Sequence, residues 1–330
     1  MNVMQKKINV AILTGGKSAE LEISLASAKV VAKNLNKDKY DVLTVNISTM
    51  PWSVYDGDKL ISTIDLNDFS FMLENIKHIF DVVFMAIHGT PAEDGRVQGY
   101  FELLNIPYTC SGTLASAITF DKDICKKLIQ DDVIKQAKSI LLNDKNVDIV
   151  DIEKEMELPV FVKPNKNGSS YGIFKVNDRK DLYPSIKKAF EFDDEVLVEE
   201  FIDGRELACG VIEKEGELIA LPITEIISEN EFFDYEAKYL GKAKEVTPAE
   251  ITNDIRDLAQ AKAKEFYRKL KLKGAIRVDY FLKGTALYLL EVNTIPGLSS
   301  ESILPQEAIA HGFTLEQFFD IMIVESLREL

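Results

Sequence analysis

A short apolar run that stops at two glycines constrains this chain more than any other feature. Residues 8–13 read as a strand, and Thr14-Gly15-Gly16 ends it. Helical spacing follows at once, with Leu21, Leu25, Ala28 and Ala32 at i, i+4, i+7 and i+11. Two more strand-like runs, 40–45 and 81–87, continue the alternation. Strands alternating with helices predict βαβ units and a parallel sheet, hence an α/β first domain. In open sheets of this kind ligands bind beyond the carboxyl ends of the strands. The loops after the first and third strands are therefore the first places to look for chemistry.

The first loop carries Gly15-Gly16-Lys17-Ser18, which suggests a phosphate-binding P-loop. That motif needs glycine at position 11, where the chain has Ala11, so the P-loop is rejected. What remains is a strand, a glycine turn and a helix starting near Ser18, whose open N–H groups can hold an anion. Glu20 in its first turn either complements the helix dipole or points into the cleft. The second loop begins at His88, one of three histidines, in His88-Gly89-Thr90-Pro91-Ala92-Glu93-Asp94-Gly95. A histidine there serves as a hydrogen-bonded structural residue or as part of a site.

The texture changes further on. Residues 144–157 form a charged connector or helix; 158–163, 171–176 and 195–201 read as strands, with a helix near 179–192. Between the first two of these strands lies Lys163-Pro164-Asn165-Lys166-Asn167-Gly168-Ser169-Ser170-Tyr171-Gly172. Its small and polar residues let backbone N–H groups approach phosphate oxygens, although a plain flexible loop has the same composition. Two hairpins follow, 206–212 with 218–223 and 275–282 with 286–292. A charged helix spans about 248–270 and an amphipathic one begins at 314. The reading is α/β, then α+β material in two further lobes.

The second hairpin is the most specific feature. If its connection is Lys283-Gly284-Thr285, Arg277 opposes Glu291, and Arg277, Asp279, Glu291 and Asn293 share one face. Asp279 is then the diagonal neighbour of Glu291, within reach of one small ion. Two carboxylates and an amide oxygen suit Mg²⁺, which binds hard oxygen ligands and substrate phosphates. A solvated face with one Arg–Glu pair is the alternative; the otherwise almost wholly apolar strand 287–292 favours a buried site. Residues 233–239, FDYEAKY, read as an ordered loop, either a lid or plain surface.

Charge and composition narrow the partners. The chain has 39 Lys and Arg against 54 Asp and Glu, a net charge of −15. That argues against nucleic acid and anionic membrane as partners, while leaving room for lysines to focus a local positive field. Cys110, Cys125 and Cys209 are widely spaced, with no CxxC pair, and read as buried free thiols. No apolar stretch approaches a membrane span and no signal-like segment is seen, so the expected location is the cytoplasm.

Nine segments in order resemble the D-alanine–D-alanine ligase family of the ATP-grasp superfamily: GGKSAELEIS, AIHGTPAEDG, YTCSGTLASAITFDK, FVKPNKNGSSYG, VLVEEFIDGRE, FDYEAKY, GAIRVDYF, LLEVNTIPG and LSSESIL. They run over nearly the whole chain. The resemblance implies a three-domain ATP-grasp architecture: a Rossmann-like α/β substrate domain at 1–121, a central lobe at 122–205, and a C-terminal lobe with metal site and lid at 206–330. It implies two D-alanines and ATP as substrates, with two Mg²⁺ ions, or Mn²⁺ in their place, on Asp279, Glu291 and Asn293. Lys122, Lys163 and Lys238 align with phosphate-contacting lysines, and Ser169 and Ser170 with the loop beside them. Glu199, Glu200, Phe201 and Ile202 align with the adenine segment, and Glu206 with the ribose carboxylate. Glu20, Ser169 and Tyr239 align with a trio that positions the first D-alanine and closes the lid. Arg277 and the Gly297 N–H align with donors to the tetrahedral intermediate. Ser302 and Ile303 align with the second D-alanine pocket, with His88 nearby. The chain departs from common family residues at Leu21, Phe233 and Ala92. Tyr239 favours an amine acceptor over D-lactate and leaves D-serine open. A homodimer is common in the family, though no local pattern here calls for one.

Overall fold

The computed structural model describes residues 6–18, 20–146, 149–168, 171–228 and 243–328. The first sheet is built from β1 (Ile8–Thr14), β2 (Tyr40–Asn46), β3 (Ser53–Asp56), β4 (Lys59–Asp65), β5 (Ser70–Leu73), β6 (Ile76–His78) and β7 (Val82–Met85). Its order is β6-β5-β4-β3-β2-β1-β7. Only β2, β1 and β7 are parallel. The strands β3 to β6 form an antiparallel meander, which the helix–strand alternation did not announce. Helix α1 (Leu21–Asn34) covers the sheet and α2 (Arg96–Leu104) follows the loop after β7. The helix starts at Leu21, later than Ser18, with Glu20 as its N-cap residue.

Helices α3 (Thr113–Phe120) and α4 (Lys122–Ile129) lead to β8 (Lys135–Gln136), which pairs with the third sheet. The second sheet is antiparallel, with β9 (Ser139–Leu142), β10 (Val160–Pro164), β11 (Phe174–Val176) and β12 (Val196–Glu200) in the order β11-β10-β12-β9. With α5 (Ile149–Glu155) and α6 (Arg179–Ala189) it has its own core around Val160, Val162, Leu182, Ile186 and Val198.

The third sheet contains β13 (Arg205–Lys214), β14 (Glu217–Ala220), β15 (Thr224–Ser228), β16 (Ala243–Val246), β17 (Ile276–Lys283) and β18 (Ala286–Asn293). Its period-two pattern divides it cleanly. Leu207, Cys209, Val211, Val278, Tyr280, Leu282, Leu287 and Val292 face a core shared with α7 (Asn253–Lys269). The other face carries Glu206, Ala208 and Gly210 opposite Phe281, Asp279 and Arg277. All three cysteines are buried and free. The chain closes with α8 (Ile303–His311) and α9 (Leu315–Arg328). Among the described residues no helix is long and apolar enough to cross a membrane.

Candidate active site

The β17–β18 hairpin reaches its facing set by a different register from the expected one. Lys283 pairs with Ala286, so the turn has two residues, Gly284 and Thr285, with Gly284 at φ 63°. A plain two-residue hairpin would turn Glu291 and Asn293 away from Asp279, because a one-residue shift reverses the faces. A bulge corrects this: Tyr280 pairs with Leu289, but Asp279 pairs with Glu291, leaving Leu290 as the extra residue. Arg277 therefore opposes Asn293, not Glu291, and Asp279 lies directly across from Glu291 rather than diagonal to it.

The contacts on this face are tight. Arg277 Nε and Nη2 each donate to one oxygen of Asp279 at 2.7 Å. Asn293 Nδ2 lies 3.0 Å from Asp279 Oδ2 and 3.4 Å from Glu291 Oε1. Burial opposes the charge on Arg277, but Asp279, Glu291 and Glu307 outweigh it and keep the guanidinium charged. Among the described residues no three His, Cys, Asp or Glu side chains converge as a metal cluster. The two carboxylates and the amide still fit a hard divalent cation, since the Asn293 amide turned by half a rotation presents oxygen at the same point.

Two cavities meet over this face. The larger, about 420 Å³, is lined by Glu20, His88, Glu93, Arg277, Asn293, Gly297, Ser302 and Ile303, among others. The smaller, about 90 Å³, lies between the second and third sheets. Its walls include Phe161, Ile173, Ile202, Phe281 and Leu290, with Lys163, Glu199, Glu200 and Glu206 as polar groups. Lys122, Asn167, Gly168 and Glu291 line both. Phe201 does not line the smaller cavity: its ring packs edge-on to Phe161 at 5.7 Å, with Lys175 Nζ 4.3 Å from its centroid.

The loop after β10 is held from several sides. Asn165 is fully buried; its amide oxygen accepts from the Asp123 N–H at 3.0 Å and its nitrogen donates to Glu195. Lys122 Nζ donates to the Asn167 carbonyl at 2.6 Å. Gly168 packs closely on Glu20: a Cβ there would lie 2.7 Å from Glu20 Oε2, and that side chain would have to shift. Glu20, carried by the start of α1, thus abuts this loop from the first sheet. Ser169 and Ser170 lie outside the described residues, as do Lys238, Tyr239 and the 233–239 segment.

Glu199 sits between two lysines. Phe161 pairs with Glu199 in the β10–β12 ladder, so Lys163, two residues on, shares its face. Lys163 is ion-paired with Glu199, and Lys126 Nζ donates to its other oxygen at 2.5 Å. Burial would raise this carboxyl, but the two ammonium groups outweigh it and hold it down to about 2. The sequence reading did not single out Lys126. The signal was present: Lys126 lies four residues after Lys122 on α4, hence on the same helix face.

His88 is buried and tied on three sides. Its N–H donates to Ser24 Oγ at 3.0 Å, and its Nδ1 reaches the Ile295 carbonyl at 3.0 Å. A carbonyl can only accept, so Nδ1 carries the proton, and Ser27 Oγ donates to Nε2 at 2.9 Å. Ser27 Oγ in turn accepts from the Leu298 N–H at 3.1 Å. Burial pushes the imidazole pKa down, consistent with this neutral tautomer. His88 therefore fixes the 294–298 segment, including Gly297, against α1. Ser302 caps α8 in sequence position, while its Oγ accepts from the Ser299 N–H at 3.1 Å. Three carboxyl groups not foreseen also gather here. Glu93 lines the larger cavity, its pKa pushed up by burial and then by the Glu20 charge. Glu245 lines it as well, and Glu307 lies fully buried behind Arg277. They belong to separate elements and carried no local pattern.

Known proteins match this chain along nearly its whole length. The sequence profile described as D-ala D-ala ligase N-terminus matches residues 9–111, and the one described as D-ala D-ala ligase C-terminus matches 129–324. The D-alanine–D-alanine ligase of Flavobacterium johnsoniae is 44% identical over 320 residues, 97% of this chain and 99% of that protein. That of Bacteroides fragilis is 41% identical, covering 94% and 96%. Among solved structures, the VanG D-Ala:D-Ser ligase from Enterococcus faecalis superposes with a TM-score of 0.87 at 34% identity, covering 97% of this chain and 100% of that one. D-alanyl-alanine synthetase A from Vibrio cholerae gives 0.87 at 29% identity, covering 98% and 99%.

Proposed function

This chain belongs to the D-alanine–D-alanine ligase family, and we propose that it joins two D-alanines with hydrolysis of ATP to ADP and phosphate. The observation that carries this reading is the meeting of two unlike cavities at Lys122, Asn167, Gly168 and Glu291. One is a small, mainly apolar cavity with a few polar groups, suited to a nucleotide base and ribose. The other is polar and larger, with room for two small amino acids. Phosphoryl transfer belongs at the junction.

The chemistry follows from the substrates. A carboxylate is a poor acyl donor, because its leaving group would be oxide. Attack of a D-alanine carboxylate oxygen on the γ-phosphorus releases ADP and gives an acyl phosphate. The amine of the second D-alanine then attacks the carbonyl carbon, loses a proton, and phosphate departs. Lys122, Lys163 and Lys238 offset charge on the transferring group, with Ser169 and Ser170 at its side. Glu199 aligns Lys163 and Lys126; Glu200, Ile202 and Glu206 bound the nucleoside, with Phe201 packed behind. Arg277 and the Gly297 N–H face the developing oxyanion. Glu20, Ser169 and Tyr239 orient the first substrate, and Ser302 and Ile303, at the start of α8, take the carboxylate of the second. Mg²⁺ on Asp279, Glu291 and Asn293 would supply charge neutralisation for the phosphates when bound.

On this reading the product feeds peptidoglycan synthesis in a bacterial cytoplasm, and the nucleotide lies between the 122–205 and 206–330 lobes. A second reading, D-serine as acceptor, is favoured by the likeness to the Enterococcus faecalis D-Ala:D-Ser ligase. The test is ADP release by purified protein with ATP and Mg²⁺, offered D-alanine alone and then with D-serine or D-lactate. D-alanine-dependent release is expected, with D-alanyl-D-alanine the main product. Release without any need for D-alanine would overturn the proposal.

A further inference from the structure

The substrate cavity contains a carboxylate to which the mechanism above gives no task. Glu245 lies on β16, the edge strand of the third sheet, and lines the cavity with Arg277, Gly297, Ser302 and Ile303. Its Oε2 accepts from Gln306 Nε2 at 2.6 Å. Gln306 lies one helical turn beyond Ser302 on α8 and donates as well to the Glu301 carbonyl at 3.1 Å. These bonds fix Glu245 beside the amino end of α8. No other hydrogen bond to the Glu245 side chain is made among the described residues, so one oxygen remains for a ligand.

We propose that Glu245 is a specificity-determining residue that pairs with the ammonium group of the incoming acceptor amino acid. The inference rests on the ligase reading. Each amino acid brings one cation and one anion to the cavity. The acceptor carboxylate finds open N–H groups at the start of α8, and its cation needs an anion a few ångströms away. Glu245, held on α8 through Gln306, stands at that end. Glu20 occupies the corresponding place beside the Gly168 loop, where the donor binds. A hydroxy acid has no cation to pair, so this carboxylate favours amine acceptors over hydroxyl acceptors of the same size.

The test is Glu245→Gln, which removes the charge but keeps an oxygen for Gln306. ADP release is followed over a D-alanine range that separates the two D-alanine constants, and D-lactate is offered as a competing acceptor. The acceptor KM is expected to rise about tenfold, the loss of one charge-assisted contact. The donor KM and the KM for ATP should stay within about twofold, since neither site touches this carboxylate. The share of ester product formed in the presence of D-lactate should increase. Glu245→Asp keeps the charge and should keep the preference for amines; should the Gln variant fail to fold, Glu245→Thr removes the same charge and reads the same selectivity. An unchanged acceptor KM, or donor and acceptor constants rising together, would overturn the inference. If the wild-type protein shows no D-alanine-dependent turnover, the ligase reading itself fails; if it does and the variant is unchanged, only the role of Glu245 falls.

Discussion

A glutamate buried between two lysines gains or loses its worth with pH. The Glu199 carboxyl is held at about 2 against an ordinary value of 4.5, because Lys163 and Lys126 outweigh its burial. A depressed folded-state pKa contributes stability that is full above 4.5 and is lost as pH falls from there toward 2. Replacing Glu199 with Gln leaves two buried ammonium groups without a counter-charge, a change that costs on the order of 3–5 kcal/mol. Denaturant unfolding at pH 7 should show a loss of that order. Between pH 5 and pH 3, roughly the span of that titration, the variant should lose stability less steeply than wild type; equal slopes would refute the assignment. Residues of this kind differ in how far the sequence exposes them. Lys126 was discoverable from its four-residue offset to Lys122. Glu245 was not, because its partner Gln306 comes from an element 61 positions away.

Register decides what an element can present, and here two signals of different strength met. The alternation of Arg277, Asp279, Glu291 and Asn293 was legible in the sequence, and so was the hairpin. The bulge at Leu290 was not, since Leu290 is one more apolar residue in an apolar strand and nothing marks it as extra. Turn chemistry was similarly mute between β5 and β6. Glu74 and Asn75 both adopt positive φ, 51° and 63°, between Leu73 and Ile76, yet lack the glycine that flags such turns. Helix α8 offers a test at this scale. It lies against β13 where Gly210 donates its N–H to Glu307 Oε2 at 2.8 Å. A Cβ at position 210 would lie 2.5 Å from both Glu307 Oε2 and Leu304 Cδ1. Gly210→Ala must therefore displace the buried Glu307 and Leu304 side chains that α8 carries, and overpacking of this type costs about 1–3 kcal/mol. Thermal unfolding should show a lower Tm. Because Ser302 and Ile303 ride on α8, the acceptor KM should rise with it; a lower Tm with unchanged KM would mean that α8 does not set the acceptor site.

At the scale of the molecule, linear order and core membership part company. The strand–helix alternation at the amino end correctly suggested a sheet, but the sheet's core is completed from the far end of the chain. Val10, Ile12, Val31, Val82 and Phe84 pack in one cluster with Leu304, Phe318, Phe319 and Ile323. Phe84 and Phe319 meet edge to face at 5.7 Å, and Tyr40 Oη donates to Asp320 at 2.6 Å. Amphipathic spacing told that α9 buries a face, not which surface receives it, because any apolar surface satisfies that pattern. The consequence is that one face of the first sheet does not own a complete core, whereas its other face, around Leu13, Phe69, Met85 and Phe101, and the second sheet do. A chain ending at residue 314 would leave part of the α1 side of the first sheet open to water, where Phe318, Phe319 and Ile323 pack. Loss of two buried phenylalanines alone is worth about 3–5 kcal/mol each, against a total stability of roughly 5–15 kcal/mol for a typical domain. The shortened chain should therefore fail to unfold cooperatively and should bind a hydrophobic dye, while addition of a 315–330 peptide in excess restores part of the transition. A cooperative transition at the full-length temperature would show that the first sheet closes its core without α9. Substitution of Phe319 by Ala in the full chain reads the same dependence more gently: a drop in stability of about 3–5 kcal/mol is expected. The net charge of −15 bears on none of this. The fold rests on the shared core, and against the acidic total Lys122, Lys163 and Arg277 line the two adjoining cavities.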